Sequence, residues 1–309
     1  MNFNKISVFA ITSLCFFLLS CNPKMEIPSY IWIENIDFQV ANEAEQGTAS
    51  HKITGVWITA NGKNLGMYPL PTRIPILENG KTRIVIDAGI MVGGVSLKRV
   101  AYPFYASYDT TLNLKKGEID TLRPIFTYMQ NLTFKLMENF ENAGNTFTAY
   151  GTSAPLDRTD NPDLIFRQTN ESNNYSGIID LPHTNDTATV YHFEIRTISP
   201  VDLTFRNSDY CLMELNFCIT DNIEIGMIAH SASSSFINKQ IPLANLSGVD
   251  RTKNEKPVWK KAYINFSQGI GEEGASMQMK DFDIYIRSTV TSSTKDARFL
   301  FDNIKLIHN

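Results

Sequence analysis

Several things are scarce in this sequence, and each scarcity excludes something. There are only four cysteines, and two of them, Cys15 and Cys21, fall in the first 21 residues. That leaves Cys211 and Cys218, which lie in one strand-like run. Seven steps along a strand separate them by about 23 Å and turn them to opposite faces, well beyond the roughly 7 Å between Cα atoms that a disulfide can span. They are expected to be free thiols. The five histidines (His51, His183, His192, His230 and His308) stand alone, with no metal spacing and no nearby Ser or Cys in triad order. No Gly-x-Ser-x-Gly elbow is present. No Lys/Arg cluster accompanies the net charge of −4, so nucleic acid is not an expected partner. After residue 21 no apolar run approaches the ~20 residues needed to cross a bilayer. Helical apolar periodicity is also missing from the first half.

What is present begins with an apolar run over residues 6–19, preceded by Lys5 and followed by Leu18-Leu19-Ser20-Cys21. A basic residue, an apolar stretch and a small residue before the cut make a secretory signal. The Cys after Leu-Leu-Ser resembles a bacterial lipobox. That resemblance implies cleavage before Cys21, acylation of Cys21 and residence on outer-membrane lipid, on the periplasmic or the surface face. Residues 1–20 are then the signal peptide and 21–27 a tether.

From residue 28 the pattern is β. Strand-like runs at 30–33, 38–40, 53–59, 82–86, 100–108, 110–114 and 119–128 alternate with turn chemistry. Asn61-Gly62 is a strong hairpin signal and Asn79-Gly80 a second turn. Pro69, Pro71 and Pro75 argue for edge or loop positions between them. Residues 28–130 are therefore expected to form an immunoglobulin-like or PEGA-like β-sandwich. The block 66–90 also resembles outer-membrane lipoproteins of the Bacteroidetes type.

Residues 131–309 continue with period-two alternation at 190–195, 211–219, 223–229, 259–266 and 282–286. In 211–219 the odd positions are apolar. Glu214 and Asn216 stand on the even face, which is expected to meet solvent or a ligand groove. Asp221-Asn222 is expected to close a hairpin, placing Glu214 and Glu224 on facing strands as a solvated pair. The stretch Phe134 to Gly144 and the ending Phe301-Asp302-Asn303-Ile304-Lys305-Leu306 resemble the first and last strands of jelly-roll carbohydrate-binding modules. That resemblance implies an all-β jelly roll, a glycan or envelope-protein partner, and one structural Ca²⁺ held by Glu141 and Asp302 across the terminal strands. Trp259, Tyr263, Tyr175 and Tyr191 are the aromatics in this half that could stack on sugar. The triplets at Asp109-Thr110-Thr111, Asp120-Thr121-Leu122 and Asp186-Thr187-Ala188 resemble the Bacteroidetes O-glycosylation acceptor, implying modification at Thr110, Thr121 and Thr187.

The chain is thus read as a non-enzymatic envelope lipoprotein with a binding head. The alternatives are a structural subunit of an outer-membrane secretion or gliding complex, and a glycan-active enzyme.

Overall fold

The computed structural model describes residues 26–309 apart from 93–98, 152, 169–172, 184–189, 206–207, 233–237, 250–255, 274–277 and 292–295. Cys21 and Thr187 lie outside the described residues. Short helical turns occur at α1 (Glu43–Gln46) and Gly269–Glu273; the other elements among the described residues are strands. Among the described residues no helix is long and apolar enough to cross a membrane.

The first unit holds β1 (Ser29–Ile33), β2 (Asp37–Gln39), β3 (Gly55–Ala60), β4 (Lys63–Pro69), β5 (Thr72–Ile76), β6 (Gly80–Met91), β7 (Arg99–Ala101), β8 (Tyr108–Leu114), β9 (Ile119–Leu122) and β10 (Ile125–Thr127). Asn61 and Gly62 have φ of 47° and 81°. These are the left-handed values of a tight hairpin turn, and β3 and β4 pair across it. Pro75 lies on β5, an edge strand beside β1, where its missing N–H costs no ladder bond. β1 and β2 pair in parallel with β9 and β10. The antiparallel sheet β4-β3-β6, with β7 and β8 on β6, supplies the other layer. Apolar residues of both layers, including Ile31, Ile33, Ile74, Ile58, Ile84 and Ile86, close one core.

The second unit holds β11 (Thr133–Glu138), β12 (Phe147–Ala149), β13 (Asp157–Thr159), β14 (Ser176–Leu181), β15 (Val190–Thr197), β16 (Val201–Asp202), β17 (Cys211–Ile219), β18 (Ile223–Ser231), β19 (Lys239–Leu246), β20 (Lys260–Asn265), β21 (Met279–Thr291) and β22 (Ala297–His308). Two antiparallel six-stranded sheets face each other. One runs β13-β14-β22-β17-β20 with β11 on β22; the other runs β12-β15-β21-β18-β19 with β16 on β21. The first and last strands, β11 and β22, are direct neighbours, with Thr133 opposite His308. Phe193, Ile195, Ile225, Met227, Ile284 and Ile286 pack against Met213, Leu215, Phe299, Phe301 and Ile304 between the sheets. Cys211 and Cys218 are free and buried. Burial pushes the Cys218 thiol up to about 11.

Two expectations are corrected here. β17 and β18 do not form a hairpin. β17 pairs with β20 and β22, whereas β18 pairs with β19 and β21, so residues 220–222 carry the chain from one sheet to the other. The even face of β17 is also not a solvent face, because every residue of that strand is buried.

No ladder among the described residues joins a strand before residue 130 to one after residue 131. The two units nevertheless pack on each other. Leu212, Tyr263 and Ile307, from the outer face of the β17 sheet, are buried in the first unit's core, with Leu132 and Phe134 beside them. The first unit therefore covers one face of the jelly roll, and the β21 sheet keeps the other.

Candidate functional sites

Two polar constellations stand out, one sealed between the units and one open on the β21 sheet.

The sealed one is centred on Glu214, which is fully buried. Tyr102 and Tyr128 of the first unit donate their hydroxyls to its Oε1 at 2.7 and 3.1 Å. Lys261 on β20 pairs with Oε2 at 2.8 Å. Lys305 on β22 donates to the Thr48 carbonyl at 2.7 Å and reaches the Tyr128 hydroxyl at 3.4 Å. Gly47 ends α1 with φ of 69°, and a Cβ there would stand 2.6 Å from Lys305 Cε. Only glycine both takes that turn and lets the lysine pass. Ser50 donates to Asn216 Oδ1, and Thr48 to Asn303 Oδ1, each at 2.8 Å. The Lys52 N–H donates to the Tyr263 hydroxyl at 2.9 Å.

Burial pushes the Glu214 carboxyl up, but the charges of Lys261 and Lys305 and the bonds from Lys261 and Tyr102 outweigh it and hold it below its ordinary value. Burial first, and the Glu214 charge second, raise the Tyr102, Tyr105 and Tyr128 phenols well above theirs. This is a closed electrostatic lock. Tyr263 belongs to it and offers no sugar platform.

His51 stands at the rim of this lock. Burial, reinforced by Lys261, lowers it from 6.5 to about 4. The unfolded chain therefore binds the extra proton first as the pH falls. The His51 contribution to stability is complete above pH 6.5 and is lost between 6.5 and about 4, with a ceiling of about 3 kcal/mol. Melting temperature should fall across that window, and His51→Asn should flatten the fall. An equal slope in the variant would assign the pH dependence elsewhere.

The open constellation follows from strand alternation. On β15 Phe193 and Ile195 point inward, and His192, Glu194 and Arg196 outward; on β21 Ile286 and Val290 point inward, and Arg287 and Thr289 outward. Register then lines up Glu194, Arg287, Glu224 and Asn245 across β15, β21, β18 and β19, with His192 opposite Thr289. A groove of about 520 Å³ runs over these residues and Asn222. Arg287 pairs with Glu224 at 2.8 Å, and the Tyr285 hydroxyl donates to the same oxygen at 2.6 Å. Gly226 makes room for that ring, since a Cβ there would stand 2.5 Å from the Tyr285 hydroxyl. Arg196 pairs with Glu194 at 2.5 Å and lies over the Tyr150 ring, 3.2 Å from its centroid. Tyr150 is exposed beside the groove, and its N–H donates to the Glu194 carbonyl at 2.8 Å. Each carboxylate is engaged by a guanidinium, so the face offers hydrogen-bond donors and acceptors at fixed positions.

Glu224 thus lies on this open face, and Glu214 in the lock between the units; the two do not face each other. The other expected aromatics pack locally. Trp259 makes an edge contact with Phe166, Arg158 covers the Tyr175 ring, and Tyr191 packs against the core. Tyr150 was missed because it stands alone after a three-residue strand. Thr121 is exposed on β9 and Thr110 is half-buried on β8.

Glu141 and Asp302 hold the same segment from two sides. Glu141 accepts the Asn174 and Tyr175 N–H groups at 2.7 and 3.0 Å, and the Asn174 side-chain amide at 3.1 Å. Asp302 accepts the Ser176 hydroxyl at 2.5 Å and the Asn303 N–H at 2.7 Å. Both carboxylates face N–H and O–H donors, whereas calcium takes a cage of oxygens. Among the described residues no group of three or more His, Cys, Asp or Glu could hold a metal ion. The residues as arranged do not fit a shared calcium. Chelation should leave the melting temperature unmoved; a fall that Glu141→Ala abolishes would establish the ion.

No family model and no curated protein matches the chain. Among solved structures, it is similar to the CBM22-1 xylan-binding domain from Paenibacillus barcinonensis, with 11% identity and a TM-score of 0.33 over 57% of this chain and 94% of that one. It is also similar to a family 11 carbohydrate-binding module of a Clostridium thermocellum cellulosomal cellulase, with 14% identity and a TM-score of 0.32 over 57% and 95%. A third similar structure is the CBM22-1–GH10 modules of a Clostridium thermocellum endo-1,4-beta-D-xylanase complexed with xylohexaose, with 10% identity and a TM-score of 0.35. Here the match covers 57% of this chain and 28% of the xylanase chain.

Proposed function

We propose that this chain is a non-enzymatic envelope protein, held on outer-membrane lipid through acylated Cys21, whose jelly-roll head binds a glycan on the outer face of the β21 sheet. One observation carries the glycan site. The first unit covers the jelly roll's other face, and the face left open bears a polar groove with an exposed ring beside it. Arg287, Glu194, Glu224, Asn222, Asn245 and Thr289 supply donors and acceptors for sugar hydroxyls. Tyr150, covered by Arg196 on one side of its ring and otherwise exposed, supplies its other side for the sugar C–H face. Pairing of Glu194 with Arg196 and of Glu224 with Arg287 supports recognition rather than glycosidic cleavage.

The test is a glycan array probed with the detergent-solubilised chain. Arg287→Ala should weaken any bound glycan about tenfold or more, the worth of a charge-assisted hydrogen bond, with the melting temperature held. A silent array would reject glycan binding and favour an envelope-protein partner, whereas binding indifferent to Arg287 would reject this face as the site.

A further inference from the structure

The corner of the first unit from which the tether leaves carries a set of exposed apolar side chains. Ile27 and Leu77 are each 61% exposed and Ile119 is 51% exposed. The backbone brings them together. The Gly117 N–H donates to the Pro28 carbonyl at 2.9 Å, and the Tyr30 N–H to the Glu118 carbonyl at 2.9 Å. Tyr30 stands opposite Ile119, and Ser29 opposite Ile76. The Ser29 hydroxyl bonds the carbonyls of Ile76 and Glu78, on either side of Leu77. All three apolar residues thus stand around Pro28 and Ser29, at one end of the β5-β1-β9 sheet. The charged residues nearby, Glu26, Glu78, Lys115, Lys116 and Glu118, have both signs, so the corner is marked by apolar surface rather than by charge.

Position says what covers it. Five residue steps lead from Cys21 to Glu26, a reach of at most about 18 Å fully extended. A chain acylated at Cys21 must therefore keep this corner close to the lipid surface. Apolar side chains presented there enter the boundary between headgroups and acyl chains.

We infer that Ile27, Leu77 and Ile119 form a lipid-contacting corner that seats the first unit on the bilayer, so that the protein lies against the membrane and does not swing freely on its tether. The inference rests on the acylation of Cys21 proposed above. Seating would fix the orientation of the whole chain, because the interlocked units carry the β21 face with them.

The acylated chain would be reconstituted into vesicles of phosphatidylethanolamine and phosphatidylglycerol, with and without bromine on the lipid chains. Reporter tryptophans would be placed by Leu77→Trp and Ile119→Trp, and at a distant exposed position by Val258→Trp. Each emission is read above that of the unsubstituted chain. The Leu77→Trp and Ile119→Trp emissions should be quenched by brominated lipid, and the Val258→Trp emission should not. A protein that floats with the vesicles while neither corner reporter is quenched overturns the inference and leaves the anchor standing. A protein that does not float removes the anchor, and the corner contact falls with it. Flotation thus separates the two failures.

Discussion

Glu214→Ala is expected to cost the folded chain about 3–5 kcal/mol, the penalty for breaking a buried ion pair from one side. The reason is the company Glu214 keeps. Its removal leaves Lys261 beneath the first unit without its 2.8 Å partner, and leaves two tyrosine hydroxyls that had donated to it. Lys305 would also lose the nearby negative charge that helps balance its own. Part of the loss is softened by aromatic rings. Lys261 lies 5.7 Å from the centre of the Tyr263 ring, and Lys305 lies 5.3 Å from that of Tyr128. In a chain of this size the melting temperature should drop by roughly 10 °C. Glu214→Gln is the informative companion. It keeps the volume and an acceptor for the tyrosines but not the charge. If charge balance is the main contribution, it should lose nearly as much. If Glu214→Gln melts with the parent, Glu214 serves as a hydrogen-bond acceptor, and the lysines are stabilised by the rings.

Glu214 also marks the limit of what period-two alternation can say. The pattern in Cys211–Ile219 separates an apolar face from a polar one, and the structure has both. It carries no information on what the polar face meets. The groups that complete it come from Tyr102, Tyr128, Lys261 and Lys305, each far off in sequence, so a face that reads as solvated is in fact a lock. Asp221-Asn222 failed for a related reason. Local turn chemistry specifies a reversal, but not whether the next strand rejoins the same sheet or crosses to the opposite one. By contrast, Asn61-Gly62 was legible because left-handed backbone at both positions determines the hairpin locally. The neighbouring terminal strands of the jelly roll were legible through the Phe-Glu and Phe-Asp-Asn contexts, though their carboxylates turned out to hold backbone and hydroxyl donors. The open groove was half legible. Glu224 was singled out, while Glu194, Arg287 and Asn245 only become neighbours once the order β15-β21-β18-β19 is known.

A fragment beginning at Asn131 should fold poorly and melt well below the intact chain, although no strand ladder crosses that point among the described residues. Two kinds of contact are lost together. Leu212 and Ile307 are almost fully buried against the first unit. Exposing each would cost roughly 1.5–3 kcal/mol, with Tyr263, Phe134 and Leu132 adding to that. The polar side behaves differently. Glu214, Lys261 and Lys305 would regain water, which offsets part of the loss, but the bonds from Tyr102, Tyr128, Ser50 and Thr48 would go. The apolar term decides the sign, because a rehydrated ion pair in water is worth little and newly bared apolar surface favours aggregation. The intact chain should accordingly melt in one transition by calorimetry, with the fragment lower and less soluble. Adding the separate first unit, residues 26–130, to the fragment should recover part of the difference. Two well-separated transitions in the intact chain, or a fragment that melts at the intact chain's temperature, would mean that the contact between the units contributes no net stability, and that the lock serves only to set their orientation.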